Sequence, residues 1–185
     1  MTVAIVTSNH RKLDEARSAC SSYGVKLEHI QIDIDEIQHT NATQIALHKA
    51  KQAFRLLEKP LIINDSSWDI PALNGFPGGY MKDVAQWLSA EDFITLVQNK
   101  EKRICCIETV IYISESEIKI FQKEYWGVIV SKPRGSGTSI EQVTEVNGKT
   151  LAEYRNQGIS AVPSEDYIWH DFAEWYSNKT KISEK

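Results

Sequence analysis

The sequence predicts an α/β fold, a mixed central sheet with flanking helices. Three observations carry this. Short aliphatic runs that read as buried strands alternate with stretches whose apolar residues recur at helical spacing. Two of those runs end abruptly in polar residues, "TSNHRK" after "VAIV" and "NDSS" after "LII", as strands do when they feed a turn. Two longer β-rich stretches then follow each other across a short polar turn. The order β-α-β-α-β-α and then a hairpin fits a mixed sheet better than a helical bundle or a sandwich.

Each element has its own signal. Residues 3–7, "VAIVT", form the first strand, and Leu13, Ala16, Ala19 and Cys20 mark a helix from Lys12 to Tyr23. "VKLEHIQID" is a second strand running into the acidic turn "DIDEIQHT". Asn41 or Thr43 caps a long helix through about Leu57. "PLIIND" is the third strand. "VAQWLSAEDFITLVQN" is helical, with a restart at Ser89. "RICCIETVIYIS" and "EIKIFQKEYWGVIVS" are the hairpin strands, and after "PRGSGT" the pattern weakens. "SEDYIWHDFAEWYSN" closes the chain as a helix capped by Ser164, its aromatic residues at core spacing, and "KTKISEK" reads as a frayed end. No repeat or linker interrupts the sequence, which reads as one domain over 1–185.

Composition narrows the function classes. With 185 residues, 42% hydrophobic and 25% charged, the chain suits a soluble globular protein. A net charge of −4 without a basic tract argues against general nucleic-acid binding. No window approaches the roughly 18 apolar residues of a membrane span, and "MTVAIVTSNHRK" lacks the pattern of a secretory signal. Cys20, Cys105 and Cys106 show no metal-binding spacing, so they read as reduced thiols of a cytoplasmic protein.

Chemistry gathers at the strand ends, where open α/β sheets bind ligands. Thr7, Ser8, Asn9 and Lys12 surround a helix N-terminus, whose backbone N–H groups attract anions and whose lysine reaches the same phosphate. An ordinary capped turn is the plain alternative. Glu36 lies in an acidic loop and Asp65 ends a strand. If they meet, two hard carboxylates can hold Mg²⁺ against phosphates. Lys49, on the helix between them, is either a surface lysine or a phosphate contact. His10, His39 and His48 read as exposed turn and helix residues.

The segments "TSNHRK", "DIDEIQHT", "ATQIALHKA", "PLIINDSS" and "ALNGFPGGYMK" stand in the order and spacing of the inosine triphosphate pyrophosphatases. The likeness continues through "FQKEYWGVIVSKPRGSG", so it covers about residues 3–137. The chain resembles that family, whose members hydrolyse ITP, dITP and XTP to monophosphate and pyrophosphate. The resemblance implies two lobes around a nucleotide-binding cleft, a nucleoside triphosphate substrate, Mg²⁺ as cofactor, and a cytoplasmic homodimer without nucleic-acid or membrane partners. It places Thr7, Asn9 and Lys12 in the family's T-x-N-x-x-K phosphate turn. Glu36 matches the metal-binding glutamate, Lys49 the helix lysine, and Asp65 the acid linked to metal and water activation. Ser8, Ser66 and Gly78 fall on the implied substrate side, where "NGFPGGY" shapes the wall of the cleft. Asn64 stands where the family usually carries Asp or Glu.

The second half departs from the pattern. In place of a Phe-Gly-aromatic-Asp-Pro motif that stacks on the purine, this chain has "TSIEQV", Thr138 to Val143, with Glu141 in the position of the aspartate. Ser160 survives from a Ser-His-Arg motif, while Ala161 and Val162 replace the other two. The expectation is therefore a triphosphate pyrophosphatase with changed base preference. The alternative is a weak or inactive homologue that binds nucleotide or protein.

Overall fold

The computed structural model describes residues 2–183. Their elements run β1 (Thr2–Val6), α1 (His10–Ser21), β2 (Lys26–Ile30), α2 (Ala42–Leu57), β3 (Leu61–Ile70), β4 (Phe76–Gly78), α3 (Met81–Trp87) and α4 (Ala90–Leu96). The second half adds β5 (Arg103–Ile113), β6 (Ile118–Ile129), α5 (Ser139–Val143), β7 (Thr144–Val146), β8 (Lys149–Thr150), α6 (Leu151–Asn156) and α7 (Ile168–Ser183). Hydrogen-bonded neighbours follow the order β2-β1-β3-β5-β6-β7-β8, with β4 on β3. The sheet is mixed: β1 pairs parallel with β2 and β3, whereas β3–β4, β6–β7 and β7–β8 are antiparallel.

The chain divides into two compact units, one of residues 1–65, 108–123 and 164–185, the other of residues 66–107 and 124–163. In the first, Ala4, Val6, Leu61, Ile63 and Ile111 pack with the alanine face of α2 (Ala46, Ala50, Ala53). Val3, Ile5, Ile62 and Val110 pack with α1 and with Trp169, Phe172 and Tyr176 of α7. Alternate residues of each strand thus serve two cores, which is why these strands read as unbroken aliphatic runs. The aromatic tail is core, as its spacing predicts. In the second unit Phe93, Ile104, Ile129, Ile140 and Val143 form the centre.

Boundaries differ from expectation in instructive ways. β3 runs on through Ser66–Ile70 because Trp68 and Ile70 are buried and pair with β4. Ser89 does restart the helix, through a capping box with Asp92. Ser164 opens a short 3-10 turn instead of capping α7, which begins at Ile168. The end is not frayed from Lys179 onward as its polar composition suggests. The α7 helix continues to Ser183, with Lys179 bonded to Glu117 and lying over the Tyr112 and Trp175 rings. Residues 184 and 185 lie outside the described ones. His48 is half-buried beside Gln52, whereas His10 and His39 are exposed as expected.

Between Pro133 and Asn156 the weak pattern hides short elements held by polar contacts. Arg134 bonds Glu145 at 2.5 Å and lies 3.3 Å from Glu153. Gly135 takes φ +75° where a Cβ would stand 2.7 Å from the Glu153 nitrogen, so no side chain fits. Burial pushes the Cys20 thiol up to about 12 and the Cys105 thiol to about 11, leaving both as inert, packed thiols. No helix among the described residues is long and apolar enough to cross a membrane.

Candidate active site

Register builds the site. Val6 pairs with Ile30 on one side and with Ile63 on the other. β1 and β2 therefore finish level beside Ile63, so the turn after β1 and the loop after β2 leave the sheet next to Asn64-Asp65, where β3 runs on past its two neighbours. Such strand ends are where an open α/β sheet offers its helix N-termini and loops to a ligand.

The turn after β1 is closed by its own side chains. Thr7 Oγ1 accepts from the Asn9 backbone at 3.1 Å, and Asn9 Oδ1 accepts from the Lys12 backbone at 3.3 Å, capping α1. His29 Nε2 lies 2.8 Å from the Thr7 carbonyl and steadies the turn from β2. Ser8 and Asn9 are exposed. Lys12, one turn into the helix, reaches across to donate to the Asn64 carbonyl at 3.4 Å. This turn is thus both capped and fitted with a cation, so the two readings of it are compatible.

Asp65 is half-buried, directly after the buried Asn64. The Asn64 amide donates to Glu108 Oε2 at 2.9 Å and to the Thr109 carbonyl at 3.2 Å. Lys49 of α2 donates to Glu36 Oε1 at 2.5 Å, bringing together a carboxylate and an ammonium that lie 13 residues apart. Asn41, not Thr43, caps α2, accepting from the Thr43 backbone at 2.9 Å. Thr43 Oγ1 instead accepts from Gln122 Nε2 at 2.8 Å, and the same amide reaches Thr109 Oγ1 at 3.2 Å. Sequence reasoning missed Glu108, Thr109 and Gln122, since nothing in a strand's composition announces a hydrogen bond to another strand.

Thr7, Ser8, Asn9, Lys12, Glu36, Lys49 and Asp65 all belong to the first unit, whereas Ser66, Gly78, Glu141 and Ser160 belong to the second. Gly78 ends β4 at φ 59°. Glu141 is buried, 8% exposed, on α5. Its Oε2 accepts from the Thr138 backbone at 3.1 Å and from Arg155 at 2.5 Å, and Arg155 also bonds its Oε1. Ser160 forms a local turn, its hydroxyl donating to the Val162 carbonyl at 2.5 Å and accepting from the Val162 nitrogen at 3.2 Å.

Among the described residues no three His, Cys, Asp or Glu side chains stand together as a ready metal cluster. Mg²⁺ commonly takes one or two carboxylates and completes its shell with substrate phosphates and water, and carboxylates are the chemistry that Glu36, here bonded to Lys49, and Asp65 offer.

The comparisons with known proteins agree with these motifs. Residues 3–160 match the sequence model of the Ham1 family. A dITP/XTP pyrophosphatase of Thermococcus kodakarensis is 28% identical over 184 residues, covering 98% of this chain and 100% of its own. One from Methanopyrus kandleri is 30% identical over 183 residues, covering 96% and 97%. Inosine triphosphate pyrophosphatase 2 of Trypanosoma cruzi is 29% identical over 163 residues, covering 84% and 82%. Among solved structures, a HAM1 protein from Coxiella burnetii superposes with a TM-score of 0.80 at 18% identity, over 96% of this chain and 99% of the other. The Staphylococcus aureus Ham1 protein gives 0.74 at 19% identity, over 97% and 100%. Motif order, length and mixed sheet converge, and the chain belongs to the Ham1 family, whose inosine triphosphate pyrophosphatases its motifs resemble.

Proposed function

We propose that the protein is a Mg²⁺-dependent nucleoside triphosphate pyrophosphatase that releases pyrophosphate and a monophosphate, with altered base preference. One observation carries the reading: the Val6–Ile63 register sets the capped turn beside Asn64-Asp65, with Lys12 spanning the two. Lys12 and Lys49 bind and orient the triphosphate charge, and the backbone N–H groups at the start of α1 donate to a phosphate oxygen. Glu36 and Asp65 would hold the cation, which when bound neutralises phosphate charge and polarises the bond to be cut. Asp65 orients the attacking water and takes its proton. Ser8, and separately Ser66 and Gly78 of the second unit, are the further substrate contacts that the family resemblance implies. The whole chain acts as one domain, and a cytoplasmic homodimer is part of the same proposal.

The base end differs. Residues 138–143 form a capped helical turn whose Ile140 and Val143 are buried, so no aromatic platform stands there. Glu141 is engaged by Arg155, and Ala161-Val162 offer no side-chain donor to a purine oxygen. A pocket without its discriminating donors cannot sustain a large difference of affinities. ITP, dITP, XTP, ATP, GTP and modified nucleotides, incubated with Mg²⁺ and assayed for pyrophosphate, test the whole reading. Turnover with weak discrimination is expected. Strong selectivity for ITP and XTP would overturn the changed preference. The local engagement of Glu141 and Ser160 also favours a second reading, binding without hydrolysis. In that case nucleotide raises the Tm while no pyrophosphate appears.

The same panel examines Lys12. A phosphate contact serves every triphosphate alike, so Lys12→Ala is expected to lower kcat/KM by about 10- to 100-fold across all accepted bases, as loss of a charge-assisted hydrogen bond does. A loss confined to one base would move Lys12 into base recognition.

A further inference from the structure

Building on the phosphate-site reading, we propose that Glu108 and Asn64 form a positioning pair, in which Glu108 supplies from β5 the second negative charge that β3 lacks before Asp65. Asn64 is only 7% exposed, and it is bonded through both its polar ends. Its carbonyl accepts Lys12 Nζ at 3.4 Å, while its amide gives one hydrogen to Glu108 Oε2 at 2.9 Å and another to the Thr109 carbonyl at 3.2 Å. One residue therefore holds a cation on its main chain and an anion on its side chain, immediately before Asp65.

The amide is the chemistry this position requires. A carboxylate at position 64 would turn acceptor oxygens toward Glu108 and the Thr109 carbonyl, which are themselves acceptors, and two hydrogen bonds would become repulsions. With Asn at 64 and Glu at 108, the donor stands on β3 and the carboxylate on β5. The charge of Glu108 is felt nearby: burial raises the Glu15 carboxyl above its usual range, Arg11 opposes this, and Glu108 adds to it. Gln122 extends the network from Thr109 to Thr43 in the first turn of α2, the helix that carries Lys49. Asn64, Glu108 and Thr109 thereby fix the relative placement of Lys12, Asp65 and the start of α2.

Moving the charge tests this. Mn²⁺ is titrated into the protein at neutral pH and the free ion is counted by electron paramagnetic resonance, with melting followed in parallel. Glu108→Gln is expected to weaken Mn²⁺ binding about 10-fold, the scale of one nearby charge acting on a divalent ion. The double variant Asn64→Asp with Glu108→Gln returns the carboxylate to β3 and lets the new glutamine donate to it. It is expected to bind Mn²⁺ to within about 3-fold of the original protein. A purely structural role for Glu108 would not be rescued by moving the charge. Undiminished binding in Glu108→Gln, or no recovery in a folded double variant, overturns the proposal. Should Glu108→Gln fail to fold, the double variant decides alone: Mn²⁺ affinity more than about 3-fold below that of the original protein overturns the proposal. Glu108-dependent Mn²⁺ binding in a protein that hydrolyses no nucleotide would remove the pyrophosphatase reading and keep this one. Nucleotide hydrolysis with Glu108-independent Mn²⁺ binding would do the reverse.

Discussion

Asp65→Asn is expected to lower the turnover of every accepted nucleotide about 1,000-fold, the middle of the range for a lost catalytic base. The substitution keeps the shape of a half-buried side chain, so the Tm should stay within a few degrees of the original. What it removes is a full negative charge and a proton acceptor midway along β3. Nucleotide affinity should suffer less than turnover, because Lys12 and Lys49 are untouched, and that split separates a catalytic role from general damage to the site. Initial rates of pyrophosphate release, with affinity from calorimetry on the same preparation, give both numbers. An unaltered rate would end the assignment of Asp65 and of the cation site that includes it.

Phe172→Ala is expected to destabilise the protein by about 4 kcal/mol. Phe172 is fully buried on α7, edge-on to Phe121 at 5.9 Å and to Trp169 at 6.4 Å, and stacked on Tyr176 at 5.6 Å. Three further rings, Tyr23, Tyr112 and Trp175, and the aliphatic face of β1 cannot collapse into the space it leaves, so the cavity cost adds to the lost transfer energy. Tyr176 also donates to the Thr2 carbonyl at 3.3 Å, tying the last helix to the first strand. Urea unfolding checks this: the midpoint should fall at unchanged slope. A loss below about 1 kcal/mol would mean that α7 contributes little to this core.

Local chemistry was legible in the sequence, and distant chemistry was not. The capped turn after β1, the Ser89 restart and the aromatic stripe of α7 each depend on residues within a turn or two of one another, so a pattern announces them, though the first helix begins at His10 and not at Lys12. The motifs identify the family because their order along the chain survives where pairing partners cannot be seen. The Asn64–Glu108 bond joins residues 44 apart, and Lys49–Glu36 residues 13 apart. Neither follows from propensity. Residues 133–156 failed for another reason. Their elements are too short for periodicity to show, and are specified by capping boxes at Thr138 and Thr150 and by the Arg134 and Arg155 ion pairs.

The shared register of β1, β2 and β3 at Val6, Ile30 and Ile63 has a consequence for how this sequence can drift. Side chains alternate faces along a strand, so adding or deleting one residue between Leu61 and Asn64 would turn Asp65 to the opposite side of the sheet and carry Ile62 and Ile63 out of their respective cores. Exchanging Ile62 for valine, by contrast, costs only about 1 kcal/mol. The stretch is thus free to change its letters within the aliphatic alphabet and closed to changes of length. Descendants of this gene should accumulate substitutions there and confine insertions to loops such as residues 98–102, where the chain has no pleat to keep and no proposed site residue.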